Sequence, residues 1–429
     1  MKVTCIGTGF VGVVTAAVLA KLGNTVVGLD IDAAKVESLR AGHVPFFEPG
    51  LEELLRETQQ SGNLTFTTDY KAAITDATVV MIMVGTPTAQ DGSADLTYVQ
   101  SAAEALAPHL MSGAIVVIKS TVPPGTNQAI RALIQAKTSV PFEMASVPEF
   151  LKEGTAVADT LHPDRVVLGV ESERAASVLT ELHRPLSENI LVMKPESAQM
   201  TKYAANNYLA TRITFINQMA DLCEHNGADI EEVIRGIGED RRIGKHYWYP
   251  GLGYGGSCFP KDVKEIAAYA HKVGETESLF ITIDALNEKR IPHLLETYDQ
   301  LVGGFAGKTV AILGLSFKPN TNDTRVAPAL AVVPWLLARG AKVQATDPKA
   351  IPEARRILGE AVTYADSVST AVQGAHCVML LVEWDEYKAL PLSELTPLMQ
   401  DPKYFFDTRN LYTPETVTAA GMQYKGIGR

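Results

Sequence analysis

Residues 251–262 read Gly-Leu-Gly-Tyr-Gly-Gly-Ser-Cys-Phe-Pro-Lys-Asp. The glycines let a backbone lie flat against something bulky, and the thiol of Cys258 follows them, with Lys261 and Asp262 close behind. A cysteine that only fills space sits in an apolar run. This one stands between a serine and a cation–anion pair, a setting that can hold a thiolate. Cys5 and Cys377 do lie in apolar, strand-like runs and Cys223 near a helix end, so no disulfide framework is expected. Without a CxxC or a Cys/His cluster, no metal site is expected either.

A second chemical feature opens the chain. A short strand over residues 2–6 runs into Gly7-Thr8-Gly9-Phe10-Val11-Gly12, followed by an Ala/Val/Leu-rich helix to Leu22 and a strand from Thr25 that ends on Asp30. This is the full dinucleotide context: strand, glycine turn, helix and a following acid. The glycines admit a pyrophosphate to the helix N-terminus, where unpaired N–H groups favour negative charge. Asp30 is placed to accept from ribose hydroxyls and to repel a 2′-phosphate, so the expected cofactor is NAD rather than NADP.

Positioning these groups requires an α/β frame. Further strands are expected at 78–84, 115–119 and 142–146, alternating with helices, and ligands bind at the carboxyl ends of such strands. Those ends carry Thr86, then Ser120 to Thr126, then Pro148 to Gly154. Thr86 and Thr126 read equally well as helix caps. Glu149 and Glu153 are carboxylates suited to acid/base work or to holding hydroxyls. Residues 196–224 lack glycine and read as one long helix, with Lys202 and Asn206 on one face. A short helix is expected at 230–237, and a long one at 278–301 with Pro292 as an irregularity. Strands at 308–314, 342–347, 376–382 and 404–406 then echo the start of the chain. The echo has Gly314-Leu315-Ser316-Phe317-Lys318 where the diphosphate motif would stand, which suggests a different nucleotide, with Lys318 and Arg409 supplying cations. Asp323 and Arg325 follow in the next loop, placed to bridge the domains.

The expected architecture is α/β: two Rossmann-like, doubly wound parallel-sheet domains (1–195 and 303–429) joined by a long-helix central region (196–302) that carries the thiol and offers a dimerisation surface. The chain of 429 residues, 46% hydrophobic and 20% charged, has ample core for this. Its 49 acidic against 38 basic residues, a net charge of -11, argue against nucleic acid as a partner. Residues 1–6 run straight into the glycine motif, and no apolar stretch reaches a membrane-spanning length, so a cytoplasmic protein is expected.

A thiol beside an NAD site has a specific use. An alcohol oxidised once becomes an aldehyde, which a thiolate traps as a thiohemiacetal; a second oxidation leaves a thioester, and water releases the acid.

With these motifs on the page, the chain resembles the nucleotide-sugar dehydrogenases that oxidise UDP-glucose, GDP-mannose and UDP-N-acetylmannosamine. The resemblance rests on Gly7 to Gly12, Lys119 to Thr126, Pro148 to Gly154, Lys202 to Asn206, Gly253 to Asp262 and Phe317 to Arg325, and covers essentially the whole chain. It implies Cys258 as nucleophile, Lys202 and Asp262 acting with a water or the 6-hydroxyl, Asn206 steadying oxyanions, and Glu149 with Thr121 in thioester hydrolysis. It implies cofactor contacts at Gly7, Thr8, Gly9, Phe10, Val11, Gly12, Asp30, Lys35, Thr86, Thr121, Glu153, Lys261 and Arg325. Sugar-nucleotide contacts are implied at Glu149, Phe150, Leu151, Lys152, Lys202, Asn206, Tyr249, Tyr254, Gly255, Phe317, Lys318 and Arg409, and at Arg242 from a neighbouring subunit of a homodimer or higher oligomer. Cys258 to Asp262 favours the UDP-glucose branch; the alternatives are another sugar nucleotide, or a scaffold that keeps only the fold. One departure is Val147, where the family has asparagine.

Overall fold

Runs of four or five β-branched and aliphatic residues, each followed by a helical stretch, bury both faces only inside a sheet flanked by helices. In the computed structural model, which describes all 429 residues, this holds twice. The first sheet contains β1 Lys2–Ile6, β2 Thr25–Leu29, β3 Leu64–Thr67, β4 Val79–Ile82, β5 Ala114–Ile118, β6 Phe142–Ser146, β7 Val166–Val170 and β8 Ile190–Met193, in the order β3-β2-β1-β4-β5-β6-β7-β8. The second contains β9 Thr309–Leu313, β10 Lys342–Thr346, β11 Val362–Tyr364, β12 Cys377–Leu380, β13 Tyr404–Asp407 and β14 Gln423–Lys425, in the order β11-β10-β9-β12-β13-β14. Strands β1 to β6 and β9 to β14 each follow the dinucleotide-fold order, with the chain reversing direction across the sheet beside the first strand. The expected α/β class with two Rossmann-like sheets is what the chain forms.

Strands β3, β7, β8, β11 and β14 go beyond the expectation. β7 pairs antiparallel to β6, so the first sheet is parallel only through β6. β8 has its middle residues exposed and β11 and β14 are three residues long, which leaves a weak apolar signal. β7, wholly buried, is the one with a clear signal.

The chain divides into two compact units, Met1–Ala205 with Lys264–Thr276, and Asn206–Val263 with Glu277–Arg429. The first is built on two apolar layers. One packs the Ala/Val-rich first helix, Phe10–Lys21, on the sheet, and the other holds Ile82, Val116, Ile118 and Val99. The second unit has one large core, in which Tyr298 of the helix Leu279–Val302 stacks on Phe406 of β13 at 4.2 Å between ring centroids.

The helix Pro195–Asn226 opens on proline, which the first turn tolerates, and is followed by Gly227 at φ +79°. Pro292 sits inside Leu279–Val302 without ending it, so the expected irregularity does not break that helix. The thiol stands at the end of its loop: the helix Phe259–Lys272 begins on the next residue, and the Asp262 N–H donates to the Cys258 carbonyl at 2.9 Å. Pro260 in the first turn, with Phe259, Val263 and Ile266 on an apolar stripe, is the signal for it. No helix is long and apolar enough to cross a membrane.

The glycine loop is tied down from beneath. The Gly251 N–H donates to Asn217 Oδ1 at 2.8 Å, and its carbonyl accepts from Arg290 Nε at 2.9 Å, while the Arg290 guanidinium is also paired with Asp221. Arg290 is buried. Arg290→Ala strips a buried ion pair of one partner and leaves the loop carbonyl without its donor, so it is expected to destabilise the second unit by about 3–5 kcal/mol. Chemical denaturation followed by tryptophan fluorescence measures this, and a loss below about 1 kcal/mol contradicts it.

Candidate active site

Strand ends in the first unit carry one group of functional residues. Asp30, at the end of β2, accepts from the backbone N–H and hydroxyl of Thr8, both at 2.8 Å, from the Asp32 N–H at 3.1 Å and from Lys35 Nζ at 3.0 Å. Burial pushes its carboxyl up, but the donors of Thr8, Asp32 and Lys35 outweigh that and hold it below the usual value. Asp30 is therefore ionised at neutral pH. What these contacts contribute to stability is complete above the ordinary carboxyl value and is lost as pH falls through the lower folded one.

The glycine turn separates two reasons for glycine. At Gly12 an added Cβ would lie 1.9 Å from the Gly7 carbonyl oxygen, so the protein itself requires the position to be small. At Gly9 no protein atom lies within 4 Å of where a Cβ would stand, and Gly9 is exposed at the start of the first helix. Packing does not explain glycine there; room for a pyrophosphate at a helix N-terminus does. The residues present thus fit NAD. The Phe10 ring packs on Phe46 with centroids 4.7 Å apart and planes tilted by 36°, and Val11 packs on the core below. The Thr86 hydroxyl donates to the Thr121 carbonyl at 2.9 Å, and that of Thr126 to the Pro123 carbonyl at 2.7 Å, so neither caps a helix.

Beyond β6 the chain presents Glu149. Its Oε2 accepts from the Leu151 N–H at 2.8 Å and its Oε1 from Lys202 Nζ at 3.0 Å, with both side chains almost fully buried. Phe150 lies between two cations, with the Arg165 guanidinium 3.8 Å and the Lys202 ammonium 5.4 Å from its ring centroid. Lys152 turns outward to Asp159 at 2.8 Å, and Glu153 is half-buried. Val147 packs in the apolar core, so the family's amide is replaced by aliphatic contact. Sequence reasoning missed Glu48. This buried carboxylate accepts from the N–H groups of Gly154 and Ala156 at 2.6 and 2.7 Å and fixes the loop that carries Glu149. An acid inside Pro45-Phe46-Phe47-Glu48-Pro49-Gly50, an apolar turn with no other charge, was its signal.

The second unit gathers the other group. Cys258 is exposed at the N-terminal end of its helix, where negative charge is favoured, and its Sγ lies 3.6 Å from the Ser257 hydroxyl. The other cysteines are buried. Burial pushes the thiols of Cys5 and Cys377 up to about 12, and burial with Asp229 and Glu224 raises Cys223. Asp262, one turn along, is buried. It pairs with Lys261 at 2.6 Å, accepts from Asn206 Nδ2 at 2.5 Å, and offers its backbone carbonyl to Asn207 at 3.3 Å.

The glycine loop packs on the fold itself. Gly256, at φ +80°, passes so near Phe317 that a Cβ would lie 2.6 Å from its ring, and at Gly255 one would lie 2.3 Å from the Val326 carbonyl oxygen. Tyr254 is buried among Ala210, Ile213, Val263 and Ile283, and Tyr249 is exposed beside Tyr247. Lys318 lies over the Phe317 ring, 5.2 Å from its centroid, and Arg325 forks onto Asp323. Arg409 is held by the Leu381 carbonyl at 2.8 Å and Glu383 at 3.1 Å. Arg242 has its side chain 89% exposed and is paired only locally, with Asp240 at 2.6 Å.

A dinucleotide turn in one unit and a helix-end thiol with its Lys–Asp–Asn cluster in the other place the chain among dehydrogenases that also own a nucleophile. The chain belongs to the UDP-glucose/GDP-mannose dehydrogenase family: residues 1–187 match its NAD binding domain, 196–289 its central domain and 311–414 its UDP binding domain. It is 43% identical to the UDP-glucose 6-dehydrogenase YwqF of Bacillus subtilis, over 100% of this chain and 98% of that one. It is also 43% identical to a UDP-glucose 6-dehydrogenase of Pseudomonas aeruginosa, over 100% and 98%. Among solved structures, a UDP-glucose dehydrogenase from Pyrobaculum islandicum superposes with a TM-score of 0.93 at 38% identity, covering 100% of this chain and 97% of that one. A UDP-D-ManNAc dehydrogenase from Pyrococcus horikoshii reaches 0.87 at 27%, covering 100% and 99%.

Asp30→Ala removes the ionised acceptor at the end of β2; with ribose hydroxyls expected to donate to it, the loss of such a charged hydrogen bond corresponds to a roughly 10–100-fold loss of NAD affinity. The affinity for the sugar nucleotide should change far less. Titration calorimetry with NAD, NADP and the sugar nucleotide tests this; equal catalytic efficiency of the unaltered protein with NADP contradicts it.

Proposed function

We propose that the chain oxidises UDP-glucose to UDP-glucuronate in two NAD-dependent steps, through a thiohemiacetal and then a thioester on Cys258, ending in hydrolysis. The observation that carries the reading is Cys258 itself, an exposed thiol at a helix N-terminus, one turn before a buried Asp262 that is held by Lys261 and Asn206. NAD, when bound, accepts a hydride at each oxidation. Gly7 to Gly12, Asp30, Lys35, Thr86, Thr121, Glu153, Lys261 and Arg325 bind and orient it.

At the first oxidation Lys202 and Asp262 hold a water or the 6-hydroxyl and receive its proton. Cys258 adds to the aldehyde carbon, and Asn206 donates to the oxygen that becomes negative. At hydrolysis Glu149, with Thr121, takes a proton from the attacking water. Lys202, 3.0 Å from Glu149, holds that carboxylate in place. Phe150 to Lys152, Tyr249, Tyr254, Gly255, Phe317, Lys318 and Arg409 position the sugar nucleotide. UDP-glucose is favoured over another sugar nucleotide because the relatives at 43% identity are UDP-glucose 6-dehydrogenases and the mannosamine-type structure is at 27%.

The same reading extends to organisation: a cofactor domain at 1–195, a central helical region at 196–302 and a UDP-sugar domain at 303–429, working as a homodimer or larger homo-oligomer. Supporting the oligomer, Tyr208, Phe215 and Leu222 recur every seven residues along the helix Pro195–Asn226 and are 59%, 51% and 55% exposed. Arg242, 89% exposed and paired with Asp240 beside it, would reach the neighbouring subunit's substrate. Four cysteines without a disulfide among them suit the cytoplasm.

The central test is stoichiometric: two NADH per UDP-glucose, with no aldehyde captured by carbonyl reagents. Glu149→Gln keeps the shape but removes the base, so it should give a burst near two NADH per subunit, slow turnover and a mass adduct on Cys258. Cys258→Ser should show neither burst nor adduct. Normal turnover by Glu149→Gln, or an adduct on Cys5, Cys223 or Cys377, refutes the relay. The oligomer is tested separately by sedimentation, where Phe215→Glu is expected to dissociate it; a chain already monomeric before substitution overturns that part.

A further inference from the structure

Behind Glu149, wholly inside the first unit, lies a cavity of about 220 Å³ that the reaction as proposed does not use. No residue of the glycine turn, neither Asp30 nor Thr121, and no residue of the helix Pro195–Asn226 lines it. Its wall runs from the buried Thr15, Glu149 and His183 past Lys119 to the exposed His162 and Asp164. The volume admits several water molecules, and the wall is polar enough to hold them. The Thr15 hydroxyl is buried with no protein partner, a group that solvent in this cavity would satisfy.

Lys119 is the wall residue with no obvious structural duty. Its Nζ makes one long contact, to the Val147 carbonyl at 3.4 Å, two residues before Glu149. Burial pulls its ammonium down to about 8; Glu149 and Cys5 oppose the fall, and Lys202 adds to it. An amine with that value gives up and regains a proton near neutral pH. His183, which lies near the Lys119 charge, is pushed down to about 4, first by burial and then by that charge. It is therefore neutral. Its Nδ1 contacts the Leu179 carbonyl at 2.7 Å, and a carbonyl only accepts, so Nδ1 carries the hydrogen and Nε2 is left as an acceptor.

Proton balance gives this arrangement a use, on the reading of function above. Overall, R–CH2OH + 2 NAD⁺ + H2O gives R–CO2⁻ + 2 NADH + 3 H⁺. At hydrolysis the thioester C–S bond breaks, a C–O bond forms, and one proton of the water goes to Glu149. The base must lose that proton before it can act again. We propose that Lys119 and the hydrated cavity it lines carry the proton from Glu149 toward the surface at His162 and Asp164, which makes Lys119 a proton-relay and positioning residue behind the base.

The test uses the full-length protein with Lys119→Ala and Lys119→Arg. Both should bind NAD and UDP-glucose as the unaltered chain does and form the first two NADH per subunit quickly, while steady turnover falls about 10–100-fold. Arginine retains the charge but cannot release a proton, so a purely electrostatic role would leave Lys119→Arg at the normal rate, and that result overturns the proposal. Ammonium and methylammonium should restore Lys119→Ala turnover in proportion to concentration, at a rate that follows the pKa of the amine; no such response also overturns it. If Lys119→Ala does not fold, the turnover of Lys119→Arg decides alone. Two NADH per UDP-glucose from the unaltered chain, with both variants at normal rate, sinks the relay and leaves the proposed function standing. One NADH, or none, sinks the proposed function itself.

Discussion

A buried carboxylate must have a cation or a donor held against it, and this chain meets that demand twice from one helix. Pro195–Asn226 offers Lys202 to Glu149 at 3.0 Å and, four residues on, Asn206 to Asp262 at 2.5 Å. The two donors are i and i+4 on that helix, each serving the carboxylate of its own unit. A buried ion pair contributes little net stability, and an apolar replacement often does as well. Two such carboxylates, kept at the cost of desolvation and joined by a thiol one turn from Asp262, are better explained by chemistry than by folding.

The two sheets share strand order but differ in how the chain leaves the first strand. After β1 the helix starts at Phe10, and Gly9 leaves its N-terminus open. After β9 the next helix begins only at Ala329, and the intervening loop carries Phe317, Lys318, Asp323 and Arg325. Asp347, the counterpart of Asp30, is saturated. Its Oδ1 accepts from the N–H groups of Lys349 and Ala350, and its Oδ2 from Leu315, Ser316 and the Trp384 indole. The acid that could hold a ribose in one fold secures a loop in the other. A phosphate group there must be met by side-chain cations rather than by a helix end.

This difference explains what the sequence made legible. The glycine turn, Asp30 and the β1–β2 unit carry their physics locally, in spacing alone, and the structure has them where the spacing puts them. The absence of a second diphosphate motif at Gly314 was equally local. Legibility failed where the reason for a residue lies far along the chain. Glu48 matters because Gly154 and Ala156, more than a hundred residues on, need an acceptor. The loop glycines at 255 and 256 looked like room for a ligand, yet they are small because Val326 and Phe317 press on them. Lys119 read as the end of a strand; only the fold puts it on a cavity wall shared with Glu149 and His183. The helix after Cys258 was readable from Pro260 and the stripe behind it, and was hidden by attention to the glycines before it.

Charge is arranged against the overall balance. With a net of -11 the protein repels anions at long range, so capture of a nucleotide diphosphate rests on local fields. Lys318 and Arg409 in the second unit and Lys202 in the first are cations set in partly or fully buried surroundings, where screening by salt is weak. Each is restrained by an aromatic ring, a backbone carbonyl or a carboxylate: Lys318 by Phe317, Arg409 by Leu381 and Glu383, and Lys202 by Glu149. A cation already held in place loses little conformational freedom when an anion arrives, so binding strength goes into orientation rather than into ordering the site.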